Sequence, residues 1–176
     1  MDEIVKAALK KWPNVPHCYG WLALDARGDW YMRDERIQAA GPFPRVKGSR
    51  IQHDKLLAFI HRNYTHDDRG AWFFQNGPQR VYVQLEAAPY VWRVGEAAPW
   101  PVAAHTGEAA QVHAAWLDEF GRLFLETDRG LGLVHTMDMA AAAEAVEQGH
   151  WQPRNVLFDE LPRRFGYQLQ PLPNPT

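Results

Sequence analysis

Hydrophobic and polar residues alternate strictly along residues 80–86, RVYVQLE, in the middle of the chain. A period of two places Val81, Val83 and Leu85 on one face of an extended strand and the intervening side chains on the other. The segment before it, AWFFQ at residues 71–75, carries aromatic residues on both faces. Such a strand is either covered on both sides or uses an exposed face for contact. The two segments predict a central hairpin whose second strand turns one face to the core and the other to water or a partner.

The turn of this hairpin contains Asn76-Gly77-Pro78-Gln79. Asn-Gly alone favours a two-residue loop. Pro78 has no N–H with which to close the hydrogen bond of a loop centred on Asn76 and Gly77. The sequence therefore predicts a longer loop, from Asn76 to Gln79, whose amide side chains either bind a ligand or satisfy loop carbonyls.

The same periodicities predict the remaining elements. Helical spacing of apolar residues indicates helices at residues 2–12, 51–64 and 137–148, with Thr136 as the cap of the last one. Alternation indicates further hairpins at residues 20–33 and 111–126 and a third strand of the central sheet at residues 90–94. Residues 34–50 lack periodicity and are expected to form a surface loop. These features predict an α+β fold in which antiparallel sheets built from hairpins are packed by two main helices.

Two similar subdomains are compatible with this pattern. The proline-framed run at residues 95–101 predicts a boundary that separates a hairpin-helix-sheet subdomain, residues 1–98, from a hairpin-helix subdomain, residues 99–176. One compact domain is the alternative. The motif Asp-x-x-Gly occurs in the first hairpin and again in the hairpin at residues 111–126. This echo arises either from a duplication or from two hairpins that obey the same turn chemistry.

Composition and charge exclude several classes of function. The 176 residues include 46% hydrophobic and 23% charged residues, which is typical of a globular protein. A net charge of -2 argues against a nucleic-acid partner, since phosphates require a basic patch. The single cysteine, Cys18, excludes an intramolecular disulfide and a multi-cysteine zinc site, and is expected to be a buried small hydrophobic residue. With no signal peptide and no long apolar run, the sequence predicts a soluble cytoplasmic protein without a membrane partner.

Aromatic residues are frequent, but catalytic spacing is absent. We therefore expect a non-catalytic protein, without a cofactor or bound metal, that binds a small molecule or another protein on the face of its sheets. The predicted ligand-binding residues are Trp72, Phe74, Gln75, Asn76, Gln79, Arg80, Tyr82 and Trp92. Exposed strand edges and aromatic patches need cover, so homo-oligomerisation is also expected.

An enzyme is the alternative hypothesis. His61, His66, Asp67 and Asp68 form the densest group of potential metal ligands, because imidazole and carboxylate bind the same borderline ions. They would support a metal-assisted or hydrolase-like reaction if their side chains converged. A scaffold without a small ligand is a third possibility.

Several of these segments resemble a proteobacterial family catalogued only as a domain of unknown function. The matching motifs are Tyr19 to Leu24 followed by Asp25-x-x-Gly28-x-Trp30, the helix end His61 to Tyr64, the central FFQNGPQRVYV hairpin, Glu86-x-x-Pro89 and His105-Thr106-Gly107. The resemblance covers roughly residues 17–148, and a second uncharacterised bacterial family is similar more distantly. It supports the fold and implies no activity.

Overall fold

Two mixed β-sheets form the framework of the protein in a computed structural model, which describes residues 1–174. Together with the helices they confirm the predicted α+β class. The first compact unit comprises residues 1–25, 29–86 and 167–174, and the second comprises residues 26–28 and 87–166. The boundary predicted between residues 98 and 99 falls inside the second unit. The last two residues of the predicted C-terminal subdomain, 175 and 176, lie outside the described part of the chain.

The first unit contains a six-stranded sheet with the order β3-β2-β1-β6-β5-β4. Its strands are β1 (Cys18–Leu24), β2 (Trp30–Met32), β3 (Ser49–Arg50), β4 (Tyr64–His66), β5 (Trp72–Asn76) and β6 (Gln79–Leu85). Neighbouring strands are antiparallel except at the centre, where β1 and β6 run parallel. Hairpin signals in a sequence predict antiparallel neighbours only, so this pairing was not foreseen.

The second unit contains a seven-stranded sheet with the order β13-β10-β11-β12-β7-β8-β9. Its strands are β7 (Tyr90–Val94), β8 (Val102–Ala104), β9 (Ala109–Ala110), β10 (Val112–Leu117), β11 (Leu123–Thr127), β12 (Gly130–Val134) and β13 (Arg154–Asn155). The β12/β7 and β10/β13 pairs are parallel. The prediction that residues 90–94 join the sheet of the central hairpin is therefore wrong, because β7 pairs with β12 and β8 instead.

The two sheets share one topology. Strands β1 to β6 and strands β7 to β12 follow the same spatial order, and each pair of corresponding neighbours has the same direction. A duplication of one six-strand motif would produce this correspondence. The two Asp-x-x-Gly turns do not mark it, since Asp25 lies between β1 and β2 while Asp118 lies between β10 and β11. Those strand pairs occupy different positions of the motif, and the sequence echo reflects shared turn chemistry.

The described residues form α1 (Glu3–Lys11), α2 (Glu35–Ala40), α3 (Asp54–Arg62), α4 (Met139–Glu147) and α5 (Leu161–Phe165), with 3₁₀ turns at Thr136–Asp138 and Phe158–Glu160. The short helix α2 lies where a surface loop was predicted, and Asp34 caps it by accepting a hydrogen bond from the Ile37 N–H. Histidines cap two other segments: His53 Nδ1 accepts from the Leu56 N–H and His135 Nδ1 accepts from the Met137 N–H. The predicted cap Thr136 instead begins the 3₁₀ turn. No helix of residues 1–174 combines the length and apolar character that a bilayer crossing requires.

The turn of the central hairpin is tighter than predicted. Asn76 pairs directly with Gln79, so only Gly77 and Pro78 lie in the loop. Gly77 has a φ of +58°, which suits the first central position of a two-residue turn. Pro78 takes the second central position, and the Asn76–Gln79 pair that closes the turn needs no N–H from that residue. The predicted loop from Asn76 to Gln79 has the same centre but is one residue too long at each end.

The core of the second unit surrounds Trp92 on β7, which is fully buried. Its indole Nε1 donates a 2.9 Å hydrogen bond to the Leu125 carbonyl on β11. The indole crosses β12 at Gly132, where a Cβ atom would lie 2.4 Å from Nε1. A glycine at this position therefore permits the bond.

Candidate binding cleft of the first unit

An apolar cleft of about 230 Å³ opens on the face of the first sheet that α3 covers. Strand residues Cys18, Leu22, Phe74 and Val81 contribute one part of its lining, and Leu56 and Ile60 of α3 contribute another. Trp21, Met32, Ile51 and Asn76 complete the lining. The register explains the strand part, because Val81 pairs with both Cys18 and Phe74 and directly paired residues share a face.

The cleft combines buried and exposed apolar side chains. Leu22 and Ile60 are 4% and 1% exposed and belong to the core. By contrast Trp21, Met32 and Leu56 are 39%, 52% and 36% exposed. Single exposed apolar residues are ordinary, but several around one depression form a patch that a ligand or partner is suited to cover.

The cleft offers almost no acid–base chemistry. Cys18 is the one ionisable side chain in its lining, and it is a free, half-buried thiol rather than the fully buried residue that was predicted. Burial raises the pKa of the Cys18 thiol above its ordinary value. A thiol with a raised pKa stays protonated at neutral pH and is a poor nucleophile. The lining therefore provides apolar surface and no activated thiol.

Two of the predicted ligand-binding residues line this cleft. Phe74 is 5% exposed, contacts Phe59 edge-on at 5.5 Å between ring centroids, and contributes to the cleft lining. Asn76 is exposed at the end of β5, and its side chain has no hydrogen-bond partner among residues 1–174. Its amide is the polar group of the cleft available to orient a ligand.

The other predicted aromatic residues are buried and lie elsewhere. Trp72 is 6% exposed and contacts Tyr64 at 4.8 Å. Tyr82 lies on the opposite face of the sheet from Phe74, stacks on Tyr19 at 4.7 Å and is 3% exposed. Trp92 belongs to the second unit. The strand face that was expected to meet water or a partner is thus covered at Tyr82, because Tyr19 packs on it from a distant point in the sequence.

Polar side chains of the central hairpin contact other groups of the protein. Gln75 is 1% exposed and donates through Nε2 to the Gly77 carbonyl at 3.0 Å. Gln79 donates in the same way to the Pro16 carbonyl at 3.0 Å. The Arg80 guanidinium lies 4.4 Å from the centroid of the Phe73 ring. The two glutamine contacts agree with the second predicted role of these amides, which was to donate hydrogen bonds to backbone carbonyls.

The proposed metal-ligand group does not converge. His61 Nε2 accepts a hydrogen bond from Trp30 Nε1 at 2.9 Å, and His66 Nδ1 lies 2.8 Å from the Asp67 carbonyl oxygen. One oxygen of Asp67 accepts from the backbone N–H groups of residues 69 and 71, and the other accepts from the Tyr82 hydroxyl. No group of three or more His, Cys, Asp or Glu side chains suited to a metal ion occurs among residues 1–174. The enzyme hypothesis therefore has no support from this geometry.

A charged cluster of the first unit contains Asp25, Lys47 and Glu86. Asp25, which is 2% exposed, accepts hydrogen bonds from Lys47 Nζ at 3.0 Å and from the Tyr31 hydroxyl at 3.1 Å. Burial favours the neutral amine of Lys47, but the hydrogen bond and charge of Asp25, with Glu86, outweigh it and raise the pKa of Lys47. A lysine that remains protonated cannot act as a general base at neutral pH. The cluster attaches the segment before β3 to the first hairpin.

Sequence reasoning missed most of the cleft. Residues 20–33 were predicted only as a hairpin and residues 51–64 only as a helix, so Leu22, Met32 and Leu56 were not assigned to a site. Only the spacing of Leu56 on the helical stripe was visible in the sequence. Its 36% exposure depends on how far α3 extends over the sheet, which no local pattern reports.

Two solved structures are similar to this chain. A DUF1285 family protein from Silicibacter pomeroyi DSS-3 has a TM-score of 0.51 and 12% sequence identity, with 82% of this chain and 84% of that chain covered. A DUF1285 family protein from Shewanella baltica OS155 has a TM-score of 0.48 and 17% identity, with 70% of this chain and 91% of that chain covered. No curated protein matches the chain.

A family model covers nearly the whole sequence. The model of the DUF2944 family, which is described as "Protein of unknown function (DUF2946)", matches residues 1–172. The predicted resemblance to an uncharacterised domain family is thereby confirmed. The chain belongs to the DUF2944 family.

Proposed function

We propose that this protein is a non-catalytic binding protein and that the cleft of its first unit holds the apolar part of a small molecule. The observation that carries the proposal is the lining itself, which is apolar and open and contains no ionisable side chain other than the Cys18 thiol. A site with a few polar groups on an apolar surface binds by burial and orients its ligand through those groups. Asn76 supplies the orienting group.

The size of the cleft limits the part of the ligand that it encloses. Pockets for drug-sized ligands have volumes of about 300–1,000 Å³. At about 230 Å³ the cleft accommodates a short aliphatic chain or a single ring. The remainder of a larger ligand would extend past Asn76 into solvent.

Alkylation of Cys18 tests this proposal, because Cys18 is the only thiol of the chain and lines the cleft. The rate of iodoacetamide labelling, followed by mass spectrometry, is measured with increasing 1-octanol as a neutral apolar probe. We expect the probe to slow labelling with saturation. No protection up to the solubility limit of the probe would overturn the proposal.

Matched variants show whether the protection arises in the cleft. Leu56→Glu places a carboxylate in the lining, and desolvating that charge weakens the binding of an apolar probe by about tenfold or more. Ile4→Glu makes a similar change at a helical residue that is 76% exposed and does not line the cleft. We expect Ile4→Glu to retain the protection and Leu56→Glu to lose it. Mass spectrometry of molecules extracted from the purified protein then identifies the natural ligand.

A cytoplasmic location and self-association belong to the same proposal. The free thiol of Cys18 supports a reducing compartment. The exposed apolar side chains of Trp21, Met32 and Leu56 support a contact with a second copy of the chain. A monomer mass in light scattering across the accessible concentration range would refute the self-association.

A further inference from the structure

A polar groove of about 550 Å³ lies in the second unit. It shares no lining residue with the cleft proposed above to bind a small molecule. Strands β10 and β13, helix α5 and the segment after α4 provide its lining. Its charged and titratable side chains are Arg154, Arg164, His113, His150 and Glu126. With neutral histidines the lining carries one excess positive charge, so its electrostatic potential favours an anion.

Trp116 on β10 is the aromatic centre of this groove. It is 6% exposed, and its indole Nε1 is buried without a hydrogen-bond acceptor among residues 1–174. Buried Trp N–H groups normally find a partner, and an unpaired one costs free energy. The second buried indole of this kind, Trp100, lines an adjoining cavity of about 330 Å³ that shares His150 and Trp151 with the groove. Trp116 and Trp100 are therefore two buried, unpaired donors in cavities that share lining residues.

Two arginines flank Trp116. Arg154 on β13 pairs directly with Trp116, so the two side chains share a face of the sheet. The guanidinium carbon of Arg164 lies 4.1 Å from the centroid of the Trp116 ring. A guanidinium stacked on an aromatic face keeps its in-plane N–H donors available for a bidentate acceptor. Neither arginine forms an ion pair or a side-chain hydrogen bond with any of residues 1–174.

We propose that this groove binds a small anion through a carboxylate or phosphate group held between Arg154 and Arg164 beside Trp116. Both groups present two oxygens that a guanidinium fork can bind through two N–H donors. The volume lies within the range of small-molecule sites. A nucleic acid does not fit the same observations, since the chain has a net charge of -2 and the groove lining contains only two arginines, together with Glu126.

Titration of the protein with phenyl phosphate and benzoate, monitored by ¹H–¹⁵N NMR, tests the site and separates the two anions. Benzamide serves as the neutral probe of similar shape. The indole N–H signal of Trp116, assigned with Trp116→Phe, is expected to shift with at least one anion and not with benzamide. An unmoved indole signal, or equal binding of benzamide, would overturn the proposal.

Arginine variants provide the specific control. Arg164→Gln and Arg154→Gln are each expected to weaken binding about tenfold, as loss of a charge-assisted hydrogen bond does. Arg163→Gln removes the same charge from the same helix at a residue outside the groove lining, and is expected to bind as the wild type does. Arg164→Lys retains the charge but not the planar fork, so it is expected to bind more weakly than the wild type. Equal losses for Arg163→Gln and Arg164→Gln would show diffuse attraction and refute the site.

Discussion

Substitution of Gly132 by alanine tests the packing that organises the second sheet. The added Cβ would lie 2.4 Å from Trp92 Nε1, 2.5 Å from Trp92 Cε2 and 2.8 Å from the Tyr90 carbonyl oxygen. Two of these atoms belong to a fully buried indole and the third to the backbone of a paired strand, so none is free to move aside. The substitution must displace the indole from β12.

The cost has two parts. Overpacking a dense core costs about 1–3 kcal/mol. Displacing Trp92 also breaks its hydrogen bond to the Leu125 carbonyl and leaves a buried donor unpaired, which costs about 1–3 kcal/mol. We expect Gly132→Ala to lower the free energy of unfolding by about 2–6 kcal/mol, which is a large share of the total stability of a typical protein.

Gly121→Ala is the matched control in the same unit. Gly121 has a φ of +76° and no heavy atom within 4 Å of an added Cβ. This control adds backbone strain without steric overlap, whereas Gly132 has no positive φ and its substitution adds overlap; the cost of Gly121→Ala is expected to be about 1–2 kcal/mol. Urea unfolding followed by far-UV circular dichroism measures the free energy of unfolding of both variants. The slope of that free energy against urea concentration is compared between variants, because a changed slope indicates a changed unfolded state.

A double-mutant cycle then locates the overlap. Trp92→Phe removes the indole nitrogen and its ring, so Gly132→Ala is expected to cost less in that background than in the wild type. The coupling between contacting residues is typically about 0.5–3 kcal/mol. Additive effects, or a cost for Gly132→Ala no greater than that for Gly121→Ala, would refute the reasoning.

Two further predictions concern titration. The Arg93 guanidinium, which donates to Asp138 at 2.7 Å, holds the pKa of that carboxyl below its ordinary value. Stability from a depressed carboxyl pKa is present above the unfolded pKa and lost as pH falls through the folded one. Asp138→Asn should therefore lower stability by about 1 kcal/mol at pH 7, and the difference from the wild type should shrink only below about pH 4 and vanish once pH is below the folded pKa. A difference that does not shrink in acid urea titrations would contradict this. Burial, with the charge of Glu108, raises the pKa of Tyr90 to about 12. The contribution of the neutral Tyr90 side chain to stability is therefore fully present below about pH 10 and is lost as pH rises through about 12. Ultraviolet titration should show a tyrosinate component near this pH that Tyr90→Phe removes, and its absence from the wild type would refute the assignment.

Local patterns predicted much of the first unit. The alternation along residues 80–86 corresponds to β6, Gln79–Leu85, and the aromatic segment before it corresponds to β5, Trp72–Asn76. Burial of that segment on both faces was one of the two predicted outcomes, and it is confirmed for Trp72, Phe73, Phe74 and Gln75. Helix α1 follows the predicted stripe to within one residue at each end. These features depend on neighbouring residues, so the sequence contains the information directly.

The candidate sites were less accessible to sequence reasoning. Asn76 and Phe74 were identified, but the cleft also requires Cys18 and Leu22 from β1 and Leu56 from α3. Likewise Arg164 meets Trp116 across nearly fifty residues, which no spacing rule connects. A surface depression exists only where distant elements leave space between them.

By itself the sequence determined which segments are extended or helical, because side-chain periodicity and turn chemistry act over a few residues. It also determined that one thiol and a nearly balanced charge limit the chemistry of the chain. Tertiary structure alone decided that β7 joins the second sheet, that β1 runs parallel to β6, and that Tyr19 covers Tyr82. Each of these pairings competes with alternatives of similar local preference, and the burial of apolar surface across the whole unit selects among them.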